Sequence, residues 1–352
     1  MKTFEIMEFC SLTIKDLASF LEKENEKSFR AKQIYNWFYQ KKKYSFDKMT
    51  NLNKDLRESL SKNFEIFSLK LVKTIISEDS QTYKFLFELN DGFCIETVLI
   101  KSFKRSTICL STQVGCKIGC TFCASCKKGF FRNLKTFEII EQILQVLEAL
   151  KEERISNVVF MGMGEPLLNT FEVFRAIKIL NEKEGLNISQ RSISISTVGI
   201  LRGLNELIKS DLKINLMLSL HAPTDQLRGE IIPYSKRYKI ENILKLLEKY
   251  FQKTKRDICL EYILLKDVND NFEQAEQLDK LIKVKKNIYI NLIPYNPVKN
   301  YKNYKVPDGN RIRIFKSFLK NCGFNVIQRY EKGKEIKAAC GQLALNKNNS
   351  FS

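Results

Sequence analysis

Histidine occurs once in the chain, as His221, so a histidine-rich metal site is excluded. No run of roughly 18 apolar residues exists, which leaves no candidate membrane-spanning helix. The N-terminal stretch MKTFEIMEFCSL carries Glu5 and Glu8 where a secretory signal needs an uninterrupted apolar segment, so a cytoplasmic protein is expected. In that reducing compartment the ten cysteines are not expected to form a static disulfide framework, and clustered cysteines read as metal-binding or catalytic. Acids are also in short supply, with 40 Asp plus Glu against 59 Lys plus Arg, a formal net charge of +19. At 44% hydrophobic and 28% charged, the 352 residues can bury a large core, which rules out wholesale disorder and the fibrous and low-complexity classes. With about 150 residues per domain, two or three domains are expected.

The excess charge is localised. Between Thr97 and Phe137 stand eight Lys or Arg and no acid; between Ile282 and Tyr330 stand eleven against Asp308 alone. The remaining sequence is nearly neutral. Two such windows meeting on one face would present a surface to a polyanion; uneven Lys-rich composition is the alternative at this point.

Residues 1–63 show the i, i+3, i+4 apolar spacing of amphipathic helices, with Leu17, Phe20 and Leu21 and then Ile34, Trp37 and Phe38. Residues 64–105 contain FEIFSLKLVKTII, TYKFLFEL and FCIETVLI parted by turn sequences, an antiparallel meander. Residues 106–335 then alternate six strand patterns with six helix patterns, near 136–150, 171–184, 200–209, 239–253, 272–285 and 309–321. This α/β alternation implies a parallel sheet with helical crossovers. A partial (β/α)6 barrel is expected, with a doubly wound sheet as the competitor. In either fold the chemistry gathers beyond the C-terminal ends of the strands, where GMGEP, STVG, SLHAP and IPYNP lie. Residues 336–352 form a C-terminal segment.

The loop after the first of these strands reads VGCKIGCTFCASC, setting Cys116, Cys120 and Cys123 in a C-x-x-x-C-x-x-C pattern. Three thiolates so spaced can hold three irons of a 4Fe-4S cluster and leave the fourth iron open to a substrate. Cys126 adds a fourth thiol, so a closed four-cysteine zinc or iron-sulfur site is the rival reading.

Together with STQVGCKIGCTFC, the motifs GFFRNL, VVFMGMGEPLLN, ISTVG, SLHAPTDQLR, NLIPYNP and AACGQLA make the chain resemble, from about residue 90 to 345, the radical S-adenosylmethionine (SAM) methyltransferases that modify carbon 2 of adenosine in 23S rRNA and in tRNA. The resemblance implies a radical SAM barrel with a helical N-terminal accessory domain and a β extension. It implies one 4Fe-4S cluster on Cys116, Cys120 and Cys123, and two SAM molecules per turnover. Cys340 looks like the cysteine that is first methylated, and whose methyl group, after losing a hydrogen to a 5′-deoxyadenosyl radical, adds to the adenine ring. Cys109 resembles the thiol that releases the product by a transient disulfide with Cys340. Glu96 occupies the place of the carboxylate that removes the ring proton. For SAM the resemblance points to Gly164, Glu165, Ser196, Ser219, Leu220, His221 and Asn296. It also implies a reducing partner such as flavodoxin or ferredoxin, and a monomer. MGMGEPL, QVGC and LIPYNP look like the carbon-2 group rather than its carbon-8 relatives. Cys126 stands where the family usually has glycine, and Lys337 where an acid is common.

The chemistry is consistent with that reading, because carbon 2 of adenine lies between two ring nitrogens and is not nucleophilic, which a radical route overcomes. A stacked base must be extruded or already unpaired to be attacked. Both basic windows are expected to flank the barrel mouth and hold RNA by its phosphates. Cys10, Cys94, Cys259 and Cys322 sit among apolar neighbours and default to packing. A carbon-8 methyltransferase and a non-enzymatic RNA-binding protein with a structural metal cluster are the alternatives.

Overall fold

The computed structural model describes residues 7–151, 154–298, 303–329 and 332–343. Its first strand, β1 (Met7–Glu8), pairs in parallel with β2 (Phe64–Glu65) and so brackets the N-terminal helices α1 (Ile14–Lys23), α2 (Arg30–Tyr35) and α3 (Lys54–Asn63). Thr13 and Asp16 close a reciprocal capping box at the start of α1. Inside this unit Phe9 packs edge-on or tilted against Phe38, Phe46 and Phe64, with ring centres 4.5, 5.3 and 5.9 Å away.

The meander follows as β3 (Lys70–Ile76), β4 (Thr82–Glu88), β5 (Cys94–Ser102) and β6 (Arg105–Cys109), all antiparallel. A two-stranded ribbon, β7 (Gln113–Gly115) with β8 (Phe130–Asn133), brackets the cysteine loop. Its narrow waist demands glycine: a Cβ on Gly115, at φ +75°, would stand 1.9 Å from the Gly129 carbonyl oxygen. Then come α4 (Thr136–Leu150), β9 (Asn157–Phe160), α5 (Thr170–Asn181), β10 (Ile193–Thr197), α6 (Leu201–Lys209), β11 (Asn215–Ser219), α7 (Asp225–Ile231), α8 (Ile240–Thr254), β12 (Ile258–Leu264), α9 (Phe272–Leu281), β13 (Ile288–Pro294), α10 (Gly309–Asn321) and β14 (Asn325–Gln328).

The expected six helices are all present. Within the parallel βα series two elements are additional: the short α7, and β14, whose NVIQ is too brief to stand out by periodicity but which extends the parallel sheet by one strand. The sheet runs β14-β13-β12-β11-β10-β9-β6-β5-β4-β3. From β6 to β14 the parallel strands follow in sequence without the reversal that a doubly wound sheet requires, so the fold is the partial barrel. Strand β6 is antiparallel to β5 on one side and parallel to β9 on the other. The expected division at 105/106 therefore falls within a strand that joins the meander and the barrel in one sheet.

The register sorts the side chains. Val98 pairs with Cys109, Cys109 with Val159, Val159 with Ser194, and Ser196 with Met217. Partners across a ladder share a face and alternate residues return to it, so Glu96, Cys109, Ser196, Ser219 and Glu261 all lie on one face of the sheet. The opposite face, with Ile108, Val158, Ile193 and Leu216, is apolar and buried. Among the described residues no helix is long and apolar enough to cross a membrane.

Candidate active site

A cavity opens at the C-terminal ends of the barrel strands. It is lined by Cys116, Cys120, Cys123 and Cys126 from the β7–β8 loop, Gly164 and Glu165 after β9, Ser196 of β10, Ser219 of β11, His221, Glu261 of β12, and Cys340. The tertiary fold thus gathers the expected cluster cysteines, most of the expected SAM-contacting residues and the expected methyl-carrying cysteine into one space. Leu220, Asn296, Glu96 and Cys109 do not line it. Leu220 is packed in the core and Cys109 is half-buried on β6. Among the described residues no disulfide is formed. Cys10, Cys94 and Cys259 are buried, as the packing reading expects, and Cys322 is half-buried.

Cys340 is held against the cluster loop by its neighbours. The Ala124 amide donates to the Gly341 carbonyl at 2.7 Å, the Ser125 hydroxyl donates to the Leu343 carbonyl at 2.7 Å, and the Asn296 side-chain amide donates to the Cys340 carbonyl at 3.3 Å. Before reaching that loop the C-terminal segment crosses the inner face of β4, where a Cβ on Gly333 would meet the Thr82 methyl at 2.6 Å. There the Lys84 ammonium donates to the Lys337 carbonyl at 3.4 Å and pairs with the buried Glu96 carboxylate at 3.2 Å. Lys337 thus contributes its backbone to this contact.

Several polar groups around the cavity are held by hydrogen bonds. Glu165 accepts from the Val198 and Leu167 amides at 2.9 and 3.0 Å; burial raises its carboxyl to about 7, against the pull of those bonds. Gly164 at φ +104° brings it into place, since a Cβ there would stand 2.6 Å from Gln113, whose side chain accepts from the Glu165 amide. Glu261 gathers Ser196 at 2.5 Å and Ser219 at 3.3 Å. His221, at φ +59°, is buried edge-on against Phe122, and its Nδ1 accepts from the Ile263 amide at 3.1 Å. Burial, reinforced by Arg228, pushes its imidazole down to about 3. The ring is therefore neutral with its proton on Nε2.

Arg228 is fully buried and caps the carbonyls of Val198, Leu220 and Ser219 at 2.7, 3.0 and 3.0 Å. Burial lowers its guanidinium to about 10. Its Nη1 and the Asn296 Oδ1 are buried without a hydrogen-bond partner among the described residues. Sequence reasoning assigned no role to Arg228, Glu261 or Lys84. Arg228 lies inside the quoted SLHAPTDQLR; the others are charged residues inside otherwise apolar strands, the available signal for an inward-facing ion.

The donor set suits an iron-sulfur cluster. The thiol of Cys126 hydrogen-bonds those of Cys120 and Cys123, and this with burial pushes both thiols well above the ordinary cysteine range. They become good ligands only beside a cationic centre, which iron supplies. Among the described residues no three His, Cys, Asp or Glu side chains converge as ligands of one metal ion.

A family model described as "Ribosomal RNA large subunit methyltransferase N-terminal domain" matches residues 7–66, and one described as "Radical SAM superfamily" matches residues 110–282. The chain is 48% identical over 341 residues to a probable dual-specificity RNA methyltransferase, RlmN 2, of Protochlamydia amoebophila, covering 96% of this chain and 95% of that protein. It is 45% identical over 335 residues to the corresponding RlmN of Carboxydothermus hydrogenoformans, covering 95% and 97%. A crystal structure of a radical SAM methyltransferase from Sphaerobacter thermophilus superposes with a TM-score of 0.91 at 36% identity, covering 96% of this chain and 99% of that one.

Proposed function

Because this chain belongs to the RlmN family of radical SAM RNA methyltransferases, we propose that it methylates carbon 2 of adenosine in 23S rRNA and tRNA through an S-methylcysteine at Cys340. The family implies a 4Fe-4S cluster and SAM as cofactors. The observation that carries the reading is the shared cavity of Cys340 and the cluster cysteines, with Gly341 bonded to Ala124 of the cluster loop.

Cys116, Cys120 and Cys123 would hold the cluster, which would supply one electron to SAM and take one back from the base adduct. Gly164, Glu165, Ser196, Ser219 and His221 line the space beside it; the neutral His221 offers an Nε2–H donor and Glu165 an acceptor. The buried Arg228 fixes the backbone of the loops that carry Val198 and Ser219. Cys340 carries the methyl group to the adenine ring. Glu96, oriented by Lys84, takes the ring proton; Cys109, on the same face of the sheet, attacks the Cys340 sulfur, so the disulfide forms as the bond from that sulfur to the methylene carbon breaks, and the released carbon takes up a proton to become the methyl group. The electron donor is a flavodoxin or ferredoxin.

Mass spectrometry of rRNA and tRNA nucleosides from cells with and without the protein tests the proposal. Loss of 2-methyladenosine on deletion is expected; loss of 8-methyladenosine instead would overturn it. Iron analysis tests the ligand set: Ala at Cys116, Cys120 or Cys123 should strip the cluster, whereas Cys126→Ala should retain about four irons.

A further inference from the structure

The first basic window does not stay together. Lys117, Lys127 and Lys128 belong to the loop between β7 and β8, but Lys101, Lys104 and Arg105 belong to the β5–β6 hairpin, at the opposite end of the strands. There, with Arg154 and Arg191, they line a second and wider concavity at the N-terminal ends of β6, β9, β10 and β11. Its walls are completed by serine and asparagine side chains of the strand starts, among them Ser192 and Asn215. Among the described lining residues none is acidic and none is apolar. At the hairpin tip Phe103 is 97% exposed, with the Lys104 ammonium 5.8 Å from its ring centre.

We propose that this bowl is a second RNA-binding site, gripping the phosphodiester backbone of the folded substrate away from the target adenosine while Phe103 stacks on an unpaired base. This rests on the RNA methyltransferase reading above and adds a contact outside the chemical site. Cations in a concave wall of hydroxyl and amide donors match what phosphate oxygens accept. An exposed aromatic among Lys and Arg is the stacking platform of single-stranded nucleic-acid sites. An acidic redox protein is the competing occupant, but protein interfaces centre on apolar and aromatic side chains and are depleted of charge there, whereas this wall is polar throughout.

The test compares the full-length, cluster-loaded protein with the Lys104→Ala/Arg105→Ala/Arg191→Ala triple variant and with Phe103→Ala, by fluorescence anisotropy. One probe is a full-length tRNA transcript, the other a short stem-loop cut from it. The triple variant should bind the full transcript at least about tenfold more weakly, with a slope of log affinity against log salt shallower by roughly 2. Phe103→Ala should lose roughly fivefold or more with the slope unchanged. Affinity for the stem-loop, iron content and melting temperature should stay at wild-type values in both variants. Unchanged affinity and slope for the full transcript would overturn the proposal, as would unchanged RNA binding with slower reduction by flavodoxin, which would assign the bowl to a redox partner. A wild-type protein that binds the transcript through the bowl yet transfers no methyl group to RNA would sink the functional reading and leave the site standing.

Discussion

On β10, Ser194 and Ser196 point to the same face two residues apart, yet Ser196 lines the thiol cavity and Ser194 the basic bowl. At the upper end the ions are buried: Glu165, Arg228 and Glu96 are each less than a tenth exposed, and backbone groups or an opposite charge hold them. At the lower end Lys104, Arg105, Arg154 and Arg191 face water. An enclosed ion costs several kcal/mol unless it is paired, so the upper end must be pre-formed and pays for its geometry in desolvation. A solvated cation costs little and waits for a ligand, which suits a surface that grips and releases a polyanion. On the readings proposed above, one set of strands carries a chemical site at one end and a binding surface at the other.

Substitutions should separate the two ends by magnitude. Cys340→Ala should lower methyl transfer roughly a thousandfold or more while leaving RNA affinity near wild type, as expected for loss of a covalent carrier; single-turnover assays check this, and a slow but substantial rate would remove Cys340 from the chemistry. Lys84→Met strands the buried Glu96 carboxylate and should cost about 3 kcal/mol in denaturant unfolding. His221 is held at about 3, below the ordinary value of roughly 6.5, so the unfolded chain takes up the proton first as pH falls. Its contribution to stability is full above pH ~6.5 and lost on acidification towards 3. At pH 5 that loss amounts to about 2 kcal/mol, and a His221→Gln variant should lack this part of the decline between pH 7.5 and 5. Arg105→Ala, at the bowl, should change stability by no more than about 0.5 kcal/mol. A large loss there would mean that the bowl is structural.

Much of the upper site was legible in the chain. Cys116, Cys120 and Cys123 stand within a few residues of one another, so their meeting is a local matter, and the strand-end motifs are local too. The six helices were equally readable, because 3.6-residue apolar periodicity is a property of each segment alone. Four-residue β14 and seven-residue α7 escaped because neither is long enough to show a period. The pairing of Lys84 with Glu96 was not readable at all, since it follows from the register of β4 on β5, which places Leu86 opposite Glu96 and carries Lys84 onto the same face. The expectation that both basic windows flank the mouth failed for a similar reason. The first window spans a whole strand, β6, so its two halves emerge at opposite ends of the barrel.

The sequence by itself pointed to the class of chemistry: three cysteines in C-x-x-x-C-x-x-C at the start of a βα series read as a cluster loop, and AACGQLA resembles the family segment that bears the methyl-carrying cysteine. Only the tertiary structure decided that Cys340, more than 200 residues later, docks on that loop through Gly341 and Ala124, and that the positive charge divides between mouth and base. The reason is one of range. Ligand spacing and helical periodicity are set by neighbours along the chain, whereas which groups share a cavity depends on the closure of the whole sheet, where burial and register select partners that no local pattern specifies.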